Sequence, residues 1–154
     1  GVGRVFTGVY PGLATDAAPL LAAAMLCAEG ESSIEDVVFE ERFGCAESFE
    51  RLGGRAKRAG RVLSVGPLPE SGLHGTTLMA PDLRGGAALV LAALAAGGKS
   101  WVEDTRHIDR GYAGLTETLA ALGARIGREM TPAPGCVKKI PAKNQNRLAF
   151  GAKR

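Results

Sequence analysis

Asp104-Thr105-Arg106-His107-Ile108-Asp109-Arg110-Gly111-Tyr112 decides the architecture, because an earlier segment echoes it at a fixed distance. Shifted by 68 positions, Glu35-Asp36 falls on Glu103-Asp104 and Glu41-Arg42 falls on Asp109-Arg110. Gly30 then meets Gly98, Ser32 meets Ser100, and the Ala/Leu-rich runs 20–28 and 88–96 align without a gap. After a slip of two residues, Leu52-Gly53-Gly54-Arg55 matches Leu122-Gly123-Ala124-Arg125. A period near 70 exceeds that of ordinary solenoids, whose units run roughly 20–50 residues. It fits a duplicated α/β unit. An acid followed by arginine just after an apolar strand, twice over, places a guanidinium at the same corner of each copy. Anionic substrates are bound at such corners.

The elements follow the same order in both copies. Residues 16–28 are expected to be helical, with Leu20, Leu21, Ala24 and Met25 recurring at three- and four-residue steps. A strand over 33–39 follows, then a short helix over 46–52 stopped by Gly53-Gly54, then strands 55–57 and 61–65 joined through Ala59-Gly60. The second copy reads as strand 76–80, helix 83–96, strand 100–106, helix 114–122 and strand 125–128. Two prolines and a glycine within residues 67–72 mark the linker. The expected fold class is therefore α/β (α+β), a β-α-β-α-β-β unit present about twice. Residues 1–66 would be the first repeat, 73–130 the second, and 131–154 a basic tail.

Composition bounds the class without giving the activity. At 154 residues and 45% hydrophobic, the chain can pack one or two small cores, and with only 5% aromatic residues those cores are expected to rest on Ala, Leu and Val. Cys27, Cys45 and Cys136 are odd in number and lack metal-type spacing, which argues against a disulfide framework and a zinc site and for a reducing compartment. The longest apolar run, 87–96, is too short for a bilayer span of about 20 residues, and no signal peptide precedes the first strand. A cytoplasmic location is expected. Residues 131–154 hold six basic residues and no acid, so they carry +6 of a chain total of +3 and leave −3 for residues 1–130. Without interleaved aromatics or a module signature, that tail is read as solvated and disordered, not as nucleic-acid binding.

Four motifs carry a family resemblance. Residues 10–16 (YPGLATD), 38–43 (VFEERF), 79–84 (MAPDLR) and 107–112 (HIDRGY) resemble, in order, the C-terminal part of the bacterial UDP-N-acetylglucosamine enolpyruvyl transferases, from about residue 5 to residue 128. The resemblance implies an inside-out α/β barrel of repeated β-α-β-α-β-β subdomains, of which this would be part of one domain. It also implies transfer of the enolpyruvyl group of phosphoenolpyruvate to the 3-hydroxyl of UDP-N-acetylglucosamine, without a cofactor or metal. The partners would be those two substrates and the family's N-terminal domain, which supplies a lysine, further arginines and a mobile loop with a reactive cysteine. None of the three cysteines here stands in that loop's context.

Residue by residue, the resemblance assigns Asp16 to the sugar hydroxyl as base candidate and UDP-sugar ligand, since a hydroxyl attacking an enol carbon must lose its proton. Taken alone, an Asp at a helix start would be a cap. Arg110 is assigned to phosphoenolpyruvate, a small anion suited to a planar donor fork, with Asp109 holding it. Val38 would meet the sugar nucleotide through its backbone, Phe39 and Arg42 would line the cleft, and Asp82 and Arg84 would border it at a helix start that favours anions. His107 is read as a neighbour of the Arg110 corner. The sequence departs from the family pattern at Pro81, Gly85-Gly86 and Gly44-Cys45. The related 3-phosphoshikimate 1-carboxyvinyltransferases share the fold and give one alternative, and a non-catalytic ligand-binding remnant gives another.

Overall fold

In the computed structural model, which describes residues 1, 3–129 and 147–151, the first half runs β1 (Gly3–Phe6), a single 3-10 turn (Thr15–Ala17), α1 (Ala18–Met25), β2 (Ser32–Glu35), α2 (Ala46–Arg51), β3 (Ala56–Ala59) and β4 (Val62–Val65). The second runs β5 (Thr77–Met79), α3 (Leu83–Ala95), β6 (Lys99–Glu103), α4 (Arg106–Gly111), α5 (Leu115–Ala121), β7 (Ile126–Glu129) and β8 (Arg147–Gly151). Each half builds a four-stranded mixed sheet, ordered β1-β2-β4-β3 and β5-β6-β8-β7. In both, the first pair is parallel and the remaining pairs antiparallel. The two halves are thus topological copies.

Alternation buries one face of each sheet: Ser32 and Ile34 on β2, Leu63 and Val65 on β4. On that face lie α1 and α3, which pack against each other. Their contact is largely alanine, with Ala18, Ala22 and Ala23 on α1 and Ala88, Ala92 and Ala93 on α3 all buried, so the backbones approach closely and both halves share one hydrophobic core. The core is not built from aliphatics alone. Phe43, Phe49 and Phe150 are all buried within it, because the few aromatics fill the space the small helix faces leave open. Left-handed Gly53 (φ 89°) and Gly123 (φ 93°) close α2 and α5 at matching points of the two copies.

Four expectations need correction. The strand placed at 33–39 ends at Glu35, because the Asp36 carboxylate captures the Val38 and Phe39 amides and turns the chain. The strand placed at 100–106 ends at Glu103, and Asp104 (φ 54°) turns into α4, a helix the sequence pattern does not signal. The helix placed at 16–28 is a 3-10 turn followed by the eight residues of α1. The basic segment from 131 is not wholly a tail: residues 147–151 form β8, which sits between β6 and β7 and gives the second sheet the strand that β4 gives the first. The rest of that segment lies outside the described residues.

At the start of the second copy Gly75 runs against β6. Its N–H donates to the Gly97 carbonyl at 2.6 Å, and a Cβ there would stand 2.3 Å from the Lys99 carbonyl oxygen. Backbone cannot yield as a side chain can. Gly75→Ala is therefore expected to destabilise the fold by about 1–3 kcal/mol, read as a lower urea midpoint with an unchanged slope; an unshifted midpoint would refute the close packing.

Candidate functional site

Because α1 and α3 are equivalent helices in contact, their N-terminal ends meet, and the residues entering them face each other across the seam. Asp16, on the 3-10 turn before α1, and Arg84, in the first turn of α3, are separated by 68 residues, the repeat offset itself. They are the same position in the two copies. One copy supplies a carboxylate and the other a guanidinium, and Arg84 Nη2 donates to Asp16 Oδ2 at 2.8 Å. The other carboxylate oxygen lies 3.4 Å from Arg42 Nη2.

Arg42 is held from below. Its Nε donates to Thr15 Oγ1 at 3.0 Å and lies 3.6 Å from Asp36 Oδ2, and its guanidinium stacks on the Phe39 ring at 4.4 Å. The Thr15 hydroxyl in turn donates to Asp36 Oδ2. Asp36 is fully buried, and its other oxygen accepts the N–H groups of Val38 and Phe39, both at 2.8 Å. The Val37 N–H is taken by Thr7 Oγ1 at 3.0 Å. These bonds turn the chain out of β2 and present Val38 and Phe39 with half their surface exposed.

The charges settle accordingly. The hydrogen bond from Arg84 holds the Asp16 carboxyl below its ordinary value; desolvation, the next largest influence, opposes this, and the nearby Arg84 and Arg42 charges add to the lowering. For Asp36 burial is the largest influence and pushes upward, but the bonds from Thr15, Phe39 and Val38 and the Arg42 charge together bring it below the ordinary value. Both are carboxylates at neutral pH. Burial pushes the Cys45 thiol up to about 12, so it is inert packing.

Asp16, Arg42, Arg84, Val38 and Phe39 thus share one contact network. Asp82 joins it only through α3: its Oδ1 caps the helix by accepting from the Arg84 and Gly85 amides, both at 2.8 Å. Arg110 lies outside the network. It sits on α4, exposed, with Nη2 3.1 Å from His107 Nδ1, and forms no ion pair among the described residues. Asp109 does not hold Arg110; it forms a two-point pair with Arg128 at 2.5 and 3.1 Å, because consecutive helix residues point about 100° apart. The equivalent arginines 42 and 110 are therefore unlike: the first is consumed by internal carboxylates, the second is available. Thr15 and Tyr112, which lie in the quoted motifs but were given no role of their own, and Asp36 complete the corner. Tyr112 accepts from Arg84 Nη1 at 2.9 Å. Among the described residues no group of His, Cys, Asp and Glu could hold a metal ion.

Fold and corner together define a duplicated mixed α/β protein whose halves meet at alternating carboxylates and guanidiniums. A family model described as EPSP synthase (3-phosphoshikimate 1-carboxyvinyltransferase) matches residues 4–119, and the chain belongs to that family. It is 44% identical to UDP-N-acetylglucosamine 1-carboxyvinyltransferase 1 of Symbiobacterium thermophilum over 77% of this chain and 26% of the relative. It is 45% identical to UDP-N-acetylglucosamine 1-carboxyvinyltransferase of an Anaeromyxobacter species over 81% of this chain and 29% of the relative. Among solved structures, the enolpyruvyl transferase NikO of Streptomyces tendae superposes with a TM-score of 0.69 at 39% identity, covering 79% of this chain and 28% of that one. The chain spans between a quarter and a third of the length of the curated relatives it matches.

Proposed function

We propose that this chain is the C-terminal part of an enzyme that transfers the enolpyruvyl group of phosphoenolpyruvate to the 3-hydroxyl of UDP-N-acetylglucosamine, a peptidoglycan precursor step in the cytoplasm. The identity of 44–45% to relatives bearing that enzyme name carries the reading, and the corner has the chemistry for it. In the reaction the sugar oxygen bonds to the enol carbon, the bond from that carbon to the phosphate oxygen breaks, and the hydroxyl proton must go to a base. Asp16 is the base and sugar ligand: it is ionised and half exposed. Arg110 takes an anionic group of phosphoenolpyruvate, Val38 and Phe39 line the sugar side, and Arg42, Arg84 and Asp82 hold the corner. Residues 1–66, and residues 73–129 together with β8, are read as two subdomains of one inside-out α/β barrel domain, facing an N-terminal domain of the same enzyme.

The reading is tested by placing residues 4–119 in a full-length Anaeromyxobacter relative, in place of the matched segment, and measuring phosphate release. Turnover with UDP-N-acetylglucosamine and none with 3-phosphoshikimate is expected; the reverse preference would favour the activity named by the family model, and no turnover with either would favour a binding remnant. In the same protein Arg110→Lys keeps the charge but loses the planar fork. It is expected to lower kcat/KM for phosphoenolpyruvate by ~10-fold or more, while Arg42→Lys acts mainly on stability. Equal kinetic damage from both would remove Arg110 from this role.

A further inference from the structure

Tyr112 belongs to none of the assigned positions, yet it touches the group that governs Asp16. It follows α4, where the backbone leaves helical geometry (φ −128°, ψ 72°), and its hydroxyl accepts from Arg84 Nη1 while the guanidinium lies 5.5 Å from the ring centroid. Arg84 uses its other terminal nitrogen for Asp16. We propose that Tyr112 is a positioning residue that locks the Arg84 guanidinium and, through it, aims and holds the Asp16 carboxylate at the seam between the copies.

Three observations carry this. First, the approach is built in: a Cβ at Gly111 would lie 2.7 Å from Leu83 Cδ2, and one at Gly86 would lie 2.8 Å from Ile108 Cγ1. Glycine at both points lets α4 close onto the first turn of α3 and brings Tyr112 over Arg84. Second, α4 is pinned by the Asp109–Arg128 pair and by buried Ile108, so the phenol is held in place. Third, the two cations flanking Asp16 are each backed by an aromatic ring, Phe39 under Arg42 and Tyr112 under Arg84, but they are oriented differently. Thr15 orients Arg42 through Nε. Nothing in the first copy stands at the position of Tyr112 except Gly44, so only the second copy can orient its arginine with a phenol. A guanidinium fixed at two points loses less freedom on pairing with a carboxylate than a free one does. The pKa of Arg84 is correspondingly raised, by the Asp16 bond first and the Tyr112 bond second.

The kinetic consequence rests on the reading of Asp16 proposed above; the structural one does not. Carboxyl-carbon NMR of the chain would follow the Asp16 titration in wild type, Tyr112→Phe and Arg84→Met. The midpoint is expected to rise in Tyr112→Phe and further in Arg84→Met, toward the ordinary aspartate value, while that of Asp36, held by other donors, stays put. An unmoved Asp16 midpoint in Tyr112→Phe, or equal movement of Asp16 and Asp36, overturns the proposal. In the full-length enzyme, Tyr112→Phe should lower kcat roughly 3- to 10-fold, a part of the worth of one hydrogen bond from a charged donor, since the loss reaches Asp16 only through Arg84, with the KM for phosphoenolpyruvate retained. Wild-type kcat in Tyr112→Phe beside an inactive Asp16→Asn overturns the proposal. If instead Asp16→Asn leaves turnover intact in that enzyme, the base assignment fails while the titration result stands.

Discussion

Asp16→Asn should cut turnover of the full-length enzyme by ~10²–10⁴-fold, the usual worth of a positioned proton acceptor, and leave the melting temperature within a few degrees of wild type. The amide oxygen can still accept from Arg84 Nη2, and the side chain is half exposed, so the seam survives the loss of charge. What is lost is the capacity to take a proton. A carboxylate held below its ordinary pKa by Arg84 would be a weaker base but is ionised throughout the neutral range. The acid limb of activity is therefore set by Asp16 only well below neutrality. Turnover of Asp16→Asn near wild type would remove Asp16 from the chemistry.

The largest stability effect is expected at Asp36. Asp36→Ala removes the acceptor of the Thr15 hydroxyl and of two backbone amides and leaves the mostly buried Arg42 guanidinium short of a countercharge. Breaking a buried charged network in this way costs about 3–5 kcal/mol. Asp36→Asn, which keeps an oxygen for the amides, should cost less. The pH dependence has a definite sign. The folded pKa of Asp36 is depressed, so its contribution is fully present above the unfolded aspartate value of about 3.9 and is lost as pH falls through the folded value. Thermal melts from pH 6 downward should show an acid limb that is shallower in Asp36→Asn. An identical limb would show that other carboxylates govern acid unfolding.

The alternation of strands and helices was legible because it rests on local signals: the apolar stripes of residues 20–25 and 83–95, and glycines placed where α2 and α5 stop. The exit from β2 was not, because residues 36–39 look like continuing strand until Asp36 finds Thr15 and the chain's own amides. Helix α4 has only Ile108 buried, too few turns and too few apolar positions to give a periodicity. For the site, motif by motif reading reached Asp16, Arg42, Arg84, Val38 and Phe39, all in one network. It passed over the information in the repeat offset, which places Asp16 opposite Arg84 and so announces their pairing. The Asp109–Arg110 pairing was inferred from adjacency, and adjacency on a helix separates side chains.

The two sheets, alike in order, differ in when they can form. The first is complete once residue 65 has left the ribosome, since β4 follows β3 after a two-residue turn. The second waits: its interior strand β8 begins only at Arg147, and until then β6 and β7 have no strand between them. Emerging from the N-terminus, the chain can close its first copy while the second remains an open template with unpaired edges. A nascent chain stalled at residue 146 would therefore hold a finished sheet beside an unfinished one. Shortening the span between β7 and β8 would reduce the sequence separation of this late pairing and should speed the closing of the second sheet.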